Sequence, residues 1–340
     1  MKKVNVVVVG ATGAVGQEIL NILNERNFPI NNLKLCATSR SAGTEIEFKG
    51  QKYVVEETTP ESFTGMDIAL FAGGKASLEY GPAAVERGCV VIDNSSNYRM
   101  DQEVPLVVPE VNPEDVTWHK GIIANPNCST IIMVVVLKPI YDAAGIKRVV
   151  VSTYQAVSGA GKEGIEELTE QVRAVLEGRE YPPSKFAHQI AFNLIPHIDV
   201  FQDMDYTKEE WKMVKETQKI MHDSSIRITA TTVRVPVYRS HSESVNIETE
   251  RKLTAAQAKE ILAQAPGVIV QDDVANKVYP MPLFTSDKDE VFVGRIREDH
   301  TVDNGLNLWV AGDQIRKGAA TNAVQIAELL LKYDCLMEKK

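Results

Sequence analysis

The fold is decided by the stretch VVVVGATGAVG, residues Val6–Gly16, close to the start of the chain. Its four valines form a continuous apolar run, which is typical of a strand buried on both faces. The apolar residues that follow recur at helical spacing, at Val15, Ile19, Ile22 and Leu23. The three glycines between strand and helix allow a tight turn and a close approach of the backbone to a pyrophosphate, which a helix N-terminus stabilises.

The glycine spacing is GxxGxxG, a departure from the GxGxxG pattern, and alone it is weak evidence for a nucleotide site. Its place between a strand and a helix strengthens that interpretation. The alternative is a glycine-rich turn that binds nothing.

Further short apolar runs alternate with helical patterns up to residue 127, which predicts a doubly wound parallel sheet with βαβ connections. The strand candidates of this region are Val6–Val9, Leu33–Cys36, Ile68–Phe71, Val90–Ile92 and Ile122–Ala124.

The end of the second strand candidate indicates which dinucleotide would bind. In an NAD site a carboxylate at this point usually binds the ribose hydroxyls. Here the chain reads Cys-Ala-Thr38-Ser-Arg40-Ser41, with an arginine among hydroxyls and no carboxylate. Because a guanidinium binds a 2′-phosphate through charge-assisted hydrogen bonds, NADP is favoured over NAD. A surface arginine in a solvated loop is the alternative.

A second, α+β domain is expected from about Val149 onward. Two alternating segments, Arg227–Tyr238 and Ser244–Glu250, are separated by a short polar stretch and predict an antiparallel sheet with one covered face. Helical periodicity is present in four segments of this half: Glu163–Leu176, Lys208–His222, Ala255–Ala265 and Gly318–Lys332. We expect the last of these helices to pack on the first domain.

Composition excludes several classes of protein. The chain has 340 residues, too many for one compact core. Its formal net charge of −9 argues against a general nucleic-acid surface. The longest apolar run, Ile131–Leu137, is far shorter than the roughly 20 residues a membrane helix needs. The four cysteines form no CxxC pair, so we expect reduced thiols, no metal site and a cytoplasmic location.

Cys128 is the candidate nucleophile. It lies in Asn-Pro-Asn127-Cys128-Ser129-Thr130, between a strand candidate and an apolar helical run. Ser129 and Thr130 are suited to cap that helix, and its unpaired N–H groups and dipole would favour a thiolate. A buried, inert cysteine is the alternative.

A thiolate beside a nicotinamide predicts aldehyde oxidation through a thioester, and that chemistry needs a base. His241 follows an alternating strand segment, where a polar turn begins, and can face a cleft. A structural histidine is the alternative reading.

Four motifs in this order resemble the aspartate-β-semialdehyde dehydrogenase family: the glycine loop, Asn125-Pro-Asn-Cys128-Ser-Thr, Gln155-Ala-Val-Ser-Gly-Ala-Gly161 and Arg234-x6-His241. The resemblance covers nearly the whole chain. It implies a Rossmann-type domain over residues 1–127, completed by a C-terminal helical segment, 313–340. It also implies a glyceraldehyde-3-phosphate-dehydrogenase-like α+β catalytic and dimerisation domain over 128–312.

The resemblance also implies the roles of individual residues. Cys128 is the thioester nucleophile, His241 the acid/base, and Gln155 orients the substrate. The implied substrate contacts, which include phosphate sites at Arg99 and Lys212, are Arg99, Asn127, Gln155, Glu209, Lys212 and Arg234. The implied NADP contacts are Gly10, Thr12, Gly13, Ala14, Val15, Thr38, Arg40, Ser41, Ser158, Gly159 and Gln314, with Asn322 a weaker candidate. A surface ion pair is the alternative for Glu209 and Lys212, and a capping role for Asn322.

The implied reaction is the reversible, NADPH-dependent conversion of L-4-aspartyl phosphate to L-aspartate 4-semialdehyde, in lysine, threonine, methionine and diaminopimelate biosynthesis. The implied assembly is a homodimer or a dimer of dimers. Two related enzymes are disfavoured by their cysteine motifs, Pro-Gly-Cys-Tyr in N-acetyl-γ-glutamyl-phosphate reductase and Ser-Cys-Thr-Thr-Asn in glyceraldehyde-3-phosphate dehydrogenase. A non-catalytic NADP-sensing protein is the alternative from another class.

Overall fold

A computed structural model describes residues 2–338. The strands in this part of the chain are β1 Val4–Val9, β2 Ile30–Ala37, β3 Glu45–Phe48, β4 Gln51–Val54, β5 Glu56–Glu57, β6 Ile68–Phe71, β7 Val90–Asp93, β8 Ile122–Ala124, β9 Ile146–Gln155, β10 Arg227–Arg234, β11 His241–Thr249, β12 Val268–Val270, β13 Val291–Asp299 and β14 Gly305–Gly312. The helices are α1 Ala14–Glu25, α2 Ala76–Glu86, α3 Cys128–Ala144, α4 Lys162–Leu176, α5 Lys208–Ile220, α6 Ala255–Ala263, α7 Pro282–Thr285 and α8 Thr321–Lys332.

These elements form two compact units. The first contains the described residues up to Asn127 together with those from Gly318 onward, and the second is Cys128–Lys317. α8 therefore belongs to the first unit, whereas α3 belongs to the second.

The first unit is built on a parallel sheet with the strand order β5-β2-β1-β6-β7-β8. The predicted parallel sheet is confirmed, and all five strand candidates fall within β1, β2, β6, β7 and β8. Alternate residues of β1 point to opposite faces of the sheet. Val6 and Val8 belong to the apolar core that includes α1 and α8. Val7 and Val9 belong to the core on the α2 side.

A small hairpin, β3–β4, was not expected from the sequence. Its two-residue turn consists of Lys49 and Gly50, with φ of 51° and 75°. Because two consecutive positive φ angles match a primed hairpin turn, the glycine at the second position was the signal that could have revealed it.

The second unit is built on a six-stranded sheet with the order β10-β9-β11-β14-β13-β12. The prediction of an antiparallel sheet is wrong, because this sheet contains both parallel and antiparallel pairs. β10 and β11 are not neighbours, since β9 lies between them, parallel to β10 and antiparallel to β11. β9 therefore separates the two alternating segments in the sheet. A hairpin would show the same alternation of side chains, so the sequence pattern could not distinguish the two arrangements.

One face of this sheet is covered by helices. α3 packs on β9, β11, β13 and β14, and α5 packs on β10. The side chains on the covered face of β9 are buried, from Val149 and Val151 through Thr153 to Gln155. The face thus changes from apolar to polar along β9, toward its carboxyl end.

Candidate active site

Cys128 is the first residue of α3, a helix of 17 residues. The helix begins one residue before Ser129, so Ser129 and Thr130 lie in its first turn. The expected capping role of these two residues is therefore wrong, and the residue just before the helix is Asn127, which is buried. A negative charge on the Cys128 sulfur would lie at the positive end of the helix dipole.

Three of the predicted site residues lie side by side on the covered face of the second sheet. Arg234 of β10 is paired with Gln155 of β9. Ser242 of β11 is paired with Tyr154, which places His241 opposite Gln155. The register of three adjacent strands therefore assembles arginine, glutamine and histidine into one row.

The start of α3 lies over the same end of the sheet. His241 is paired with Gly312 of β14, and a Cβ built on Gly312 would lie only 3.1 Å from Cγ1 of Ile132. Ile132 is one helical turn after Cys128. Cys128 also acts electrostatically on Arg234, so the structure brings the thiol and the row of polar residues together.

His241 is completely buried. Its Nδ1 accepts a hydrogen bond of 3.0 Å from the backbone N–H of Ala156. Burial, together with the positive charge of Arg234, lowers the pKa of His241 from 6.5 to about 3, although Glu209 acts in the opposite direction. The ring is therefore neutral across the physiological range.

The Gln155 amide is held at both ends. Its Oε1 accepts a hydrogen bond of 3.0 Å from the Thr153 hydroxyl, and its Nε2 donates to Oε1 of Glu209 at 3.2 Å. Because an ionised carboxylate can only accept, the nitrogen of the amide must face Glu209. The orientation of the amide follows from its neighbours, and its Nε2 also lies 3.5 Å from Nε2 of His241.

Arg234 is nearly buried, and its Nη1 donates to the carbonyl of Ala156 at 2.6 Å. Its guanidinium lies 5.8 Å above the ring of Phe186. Burial lowers the pKa of Arg234, while Glu209 and Cys128 raise it. The side chain also lines a pocket of about 190 Å³, together with Phe186, His197 and Asp199. A guanidinium exposed to a small pocket can bind a carboxylate.

Glu209 and Lys212 form the predicted i, i+3 pair on α5, with Nζ and Oε2 2.8 Å apart. The pair is not a surface feature, because only 7% of the Glu209 side chain and 18% of the Lys212 side chain are exposed. Lys212 also contacts Asp199 at 3.0 Å. Burial lowers the pKa of Lys212, but the two carboxylates outweigh burial and raise it above its ordinary value. Lys212 therefore stays cationic.

Gly159 lies close against the row, with little room for a side chain. A Cβ at this position would lie 3.1 Å from Nη1 of Arg234 and 3.5 Å from Nε2 of His241. The neighbouring Ser158 accepts a hydrogen bond from Nε2 of Gln314, whose Oε1 accepts from the N–H of Ser240. Gln314 is thus buried and connects two loops by hydrogen bonds. Its contact with the cofactor remains a prediction.

The glycine loop of the first unit fits a dinucleotide pyrophosphate. Gly10 has φ of +84°, and a Cβ on Gly16 would overlap the carbonyl oxygen of Gly10 at 2.1 Å. No side chain caps α1 at Gly13, and its first turn has no acidic residue. Thr12, Gly13 and Ala14 are exposed. The loop therefore presents uncapped backbone N–H groups, which suit an anion.

A short 3-10 turn, Ser39–Ser41, follows β2 and presents Arg40 to solvent. Thr38 precedes this turn and accepts a hydrogen bond from the N–H of Ser41, whose hydroxyl lies 3.3 Å from that of Thr12. This contact between hydroxyls connects the Ser39–Ser41 turn to the glycine loop.

Arg99 is buried in the first unit, where it donates to the carbonyls of Asn125 and Asn94 at 2.9 and 3.0 Å. Asn322 is also buried, and its amide donates to Val107 and Asn125. The Asn322 side chain thus bonds to the interior of the unit rather than capping α8.

Three groups next to the row were not foreseen from the sequence. Thr153 and the N–H of Ala156 hold Gln155 and His241, and Glu243 is two residues beyond His241 on the same face of β11. Among the described residues neither carboxyl oxygen of Glu243 has a hydrogen-bond partner, and burial raises the pKa of Glu243 well above 4.5. The period of two along each strand was the signal that could have found these residues.

Within residues 2–338 no group of three or more histidine, cysteine, aspartate or glutamate side chains could hold a metal ion. In the same residues no helix has the length and apolar character needed to cross a membrane.

A parallel sheet with a glycine loop suited to a dinucleotide, followed by a unit built on a mixed sheet, defines the chain as a two-domain NAD(P)-binding protein. Residues 5–119 match the family model described as semialdehyde dehydrogenase, NAD binding domain. Residues 137–317 match the model described as semialdehyde dehydrogenase, dimerisation domain, which implies that the chain forms oligomers.

Similar proteins make the assignment more specific. The aspartate-semialdehyde dehydrogenase of Aquifex aeolicus is 61% identical, over 96% of this chain and 98% of the relative. That of Bacillus subtilis is 54% identical, over 97% and 98%. The crystal structure of aspartate semialdehyde dehydrogenase II complexed with ASA from Vibrio cholerae has a TM-score of 0.95 and 49% identity, covering 98% and 99% of the two chains. The chain belongs to the aspartate-semialdehyde dehydrogenase family.

A more distant similar structure was solved with NADP. Aspartate semialdehyde dehydrogenase with NADP from Candida albicans has a TM-score of 0.77 and 26% identity, covering 98% of this chain and 100% of that one.

Proposed function

We propose that the protein catalyses the reversible, NADPH-dependent reductive dephosphorylation of L-4-aspartyl phosphate to L-aspartate 4-semialdehyde, through a thioester on Cys128. The observation that carries the proposal is the row formed by Arg234, Gln155 and His241, with Cys128 at the start of the helix that packs over it. This arrangement supplies a nucleophile, a carboxylate anchor and hydrogen-bond donors within one unit.

The proposed substrate contacts are those that the family resemblance implies, and their charges suit the substrate. Arg234 supplies a guanidinium for the α-carboxylate, and Glu209 supplies a carboxylate near the substrate amine. Lys212 supplies one cation for phosphate and Arg99 the other. Arg99 and Lys212 are assigned by family resemblance.

In the acylation step the Cys128 thiolate adds to the acyl carbon of aspartyl phosphate. The bond between that carbon and the phosphate oxygen then breaks, and phosphate leaves with the electron pair. NADPH, when bound, supplies the hydride that reduces the resulting thioester.

The residues proposed to hold the cofactor are those of the glycine loop, Gly10 with Thr12 to Val15, and those of the turn, Thr38, Arg40 and Ser41. Uncapped N–H groups at the start of α1 support pyrophosphate binding. The exposed Arg40, together with the absence of a carboxylate at the end of β2, supports NADP. Ser158 and Gly159 are proposed to lie near the nicotinamide, and Gln314 to contact the cofactor.

We further propose that the protein acts in the cytoplasm as a homodimer or a dimer of dimers, in the biosynthesis of lysine, threonine and methionine. The dimerisation-domain match supports the oligomer.

The test is phosphate-dependent reduction of NADP with aspartate semialdehyde, followed at the NADPH absorbance band. Parallel assays with NAD and with N-acetylglutamate semialdehyde measure cofactor and substrate preference. Cys128→Ala is expected to abolish turnover, and near-normal turnover in this variant would exclude the thioester route. Cys335→Ala is the matched control, because this half-buried thiol is in the first unit, close to the chain end.

A further inference from the structure

One carboxylate of α4 holds the start of a segment that has no regular secondary structure, residues 184–191. Oε2 of Glu167 accepts hydrogen bonds from the N–H and the hydroxyl of Ser184, at 3.0 and 2.8 Å, and from the N–H of Lys185. Its Oε1 accepts from the N–H of Phe186 at 3.4 Å. Burial raises the pKa of Glu167, but these four donors outweigh burial and lower it below its ordinary value. The group therefore stays a carboxylate.

Gln171 holds the end of the same segment. It lies one helical turn after Glu167 on the same face of α4, and both side chains are almost completely buried. Oε1 of Gln171 accepts from the N–H groups of Ile190 and Ala191, at 2.8 and 3.1 Å. Its Nε2 donates to Oε1 of Glu167 at 3.2 Å. Because a carboxylate only accepts, Glu167 also fixes which end of the amide faces the segment.

The segment forms part of the wall of the pocket that contains Arg234. Its residues Lys185–Ala187 line this pocket of about 190 Å³, and so does Arg234. The guanidinium carbon lies 5.8 Å from the centre of the Phe186 ring. Since the ring covers one face of the guanidinium, the N–H donors on its planar edge remain for an acceptor in the pocket.

The position of the Phe186 ring depends on α4 as well. A Cβ built on Gly164 would lie only 3.1 Å from Cζ of Phe186, so the ring lies against a part of the helix that has no side chain. The backbone of Arg234 exchanges two hydrogen bonds with that of Ile195, at 2.8 and 3.0 Å. Phe186 also packs on a small apolar core formed by Val157, Leu168, Ile190, Ala191 and Ile195.

We propose that Glu167 and Gln171 are positioning residues of the carboxylate-binding pocket, and that Phe186 sets the affinity of this pocket for the α-carboxylate of the substrate. This role rests on the proposed function, in which Arg234 binds that carboxylate. The two α4 side chains are buried, so they act through the backbone that carries Phe186 and not by touching the substrate. Phe186 acts by keeping water from one face of the guanidinium, which strengthens its attraction for a carboxylate.

The first kinetic test is Glu167→Gln. An amide has a single acceptor oxygen, so its NH2 end would face either the donors of Ser184 and Lys185 or the amide nitrogen of Gln171. Unpaired N–H groups then favour movement of the segment toward water. We expect KM for aspartate semialdehyde to rise roughly tenfold, with kcat and KM for NADP within about twofold, because only substrate binding is weakened.

Glu166→Gln is the matched control, since it removes an exposed carboxylate from the neighbouring position of α4. It should leave all three constants unchanged. Glu167→Gln with an unchanged KM for aspartate semialdehyde would overturn the proposal. An equal rise in KM for aspartate semialdehyde and for NADP would also overturn it, because general damage to the fold predicts that result.

Phe186→Leu tests the pocket even if Glu167→Gln does not fold. Leucine keeps an apolar side chain on the small core but removes the ring from the guanidinium. We expect KM for aspartate semialdehyde to rise about threefold to tenfold at unchanged kcat. Phe192→Leu, a change at an exposed ring close by in the chain, is the control and should behave as wild type. Equal KM values for Phe186→Leu and wild type would contradict the role of the ring.

Hydrogen exchange measured by mass spectrometry, without substrate, tests the positioning role directly. In Glu167→Gln the amides of residues 184–191 should exchange at least about tenfold faster than in the wild type, whereas Phe186→Leu should leave their exchange unchanged. If Glu167→Gln exchanges at the wild-type rate, Glu167 does not hold the segment.

Hydrogen exchange needs no activity, so it reports on the segment whatever substrate the protein uses. Inactivity of the wild type toward aspartate semialdehyde would count against the proposed function. An active wild type, together with Glu167→Gln and Phe186→Leu variants of unchanged KM, would leave the proposed function standing and overturn the positioning role alone.

Discussion

Replacing His241 by asparagine should make the protein less sensitive to acid. The native ring has a pKa of about 3, lowered from 6.5 by burial and by Arg234. Below pH 6.5 the unfolded chain binds a proton that the folded chain does not, so the free energy of unfolding decreases as pH falls. The slope is about 1.4 kcal/mol per pH unit.

Between pH 7.5 and pH 5 the ring should therefore cost the wild type about 2 kcal/mol of stability. This figure barely changes if the native pKa is one unit higher, because the folded ring is neutral at pH 5 in either case. Asparagine does not titrate, and its side-chain oxygen can accept the N–H of Ala156 in place of Nδ1. For a unit of this size, the difference corresponds to roughly 4 to 8 °C in melting temperature.

The assay is calorimetric melting of wild type and His241→Asn at pH 7.5, 6.5, 5.5 and 5. His300→Asn, a change at an exposed histidine, is the matched control. As pH falls from 7.5 to 5, the melting temperature of His241→Asn should rise relative to that of the wild type. If both proteins lose stability in parallel down to pH 5, while the control behaves as wild type, the folded ring protonates freely and the reasoning fails.

Three other changes test the same structure. Glu243→Gln removes a buried carboxyl whose pKa burial raises well above 4.5. Above about pH 4.5 the unfolded chain loses this proton and the folded chain keeps it, so until the folded carboxyl ionises the variant should gain about 1.4 kcal/mol per pH unit over the wild type in urea titrations. A difference between the two proteins that stays constant from pH 5 upward would contradict this. Gly16→Ala places a methyl against the Gly10 carbonyl and should destabilise the first unit by about 3 kcal/mol, and an unchanged urea midpoint would show that the helix moves away freely. Arg40→Ser should raise KM for NADP roughly tenfold to hundredfold with little effect on NAD, and an equal effect on both would exclude a 2′-phosphate contact.

The sequence predicted the first sheet well because its strands are buried on both faces. Continuous apolar runs such as Val6–Val9 mark such strands directly, and the parallel order follows from the helices between them. The second sheet was harder. Its strands alternate, and alternation indicates a covered face without saying which strand is the neighbour, so β9 between β10 and β11 was not foreseen.

Motifs revealed the chemical side chains of the site, but no motif marks all of the groups that orient them. Thr153 and Glu209 orient Gln155 from its own strand and from α5. No local pattern marks Thr153 as different from any other buried strand threonine. Its role exists because Thr153 and Gln155 are two residues apart on β9 and therefore lie on the same covered face.

The amino-acid sequence by itself determined the strand-glycine-helix loop, the cysteine at a helix start and the residue types of the site, because these depend on local spacing and side-chain chemistry. Tertiary structure alone decided the protonation of His241. A histidine in isolation titrates near pH 6.5, and only burial, the nearby guanidinium and one backbone N–H hold this ring neutral with its hydrogen on Nε2.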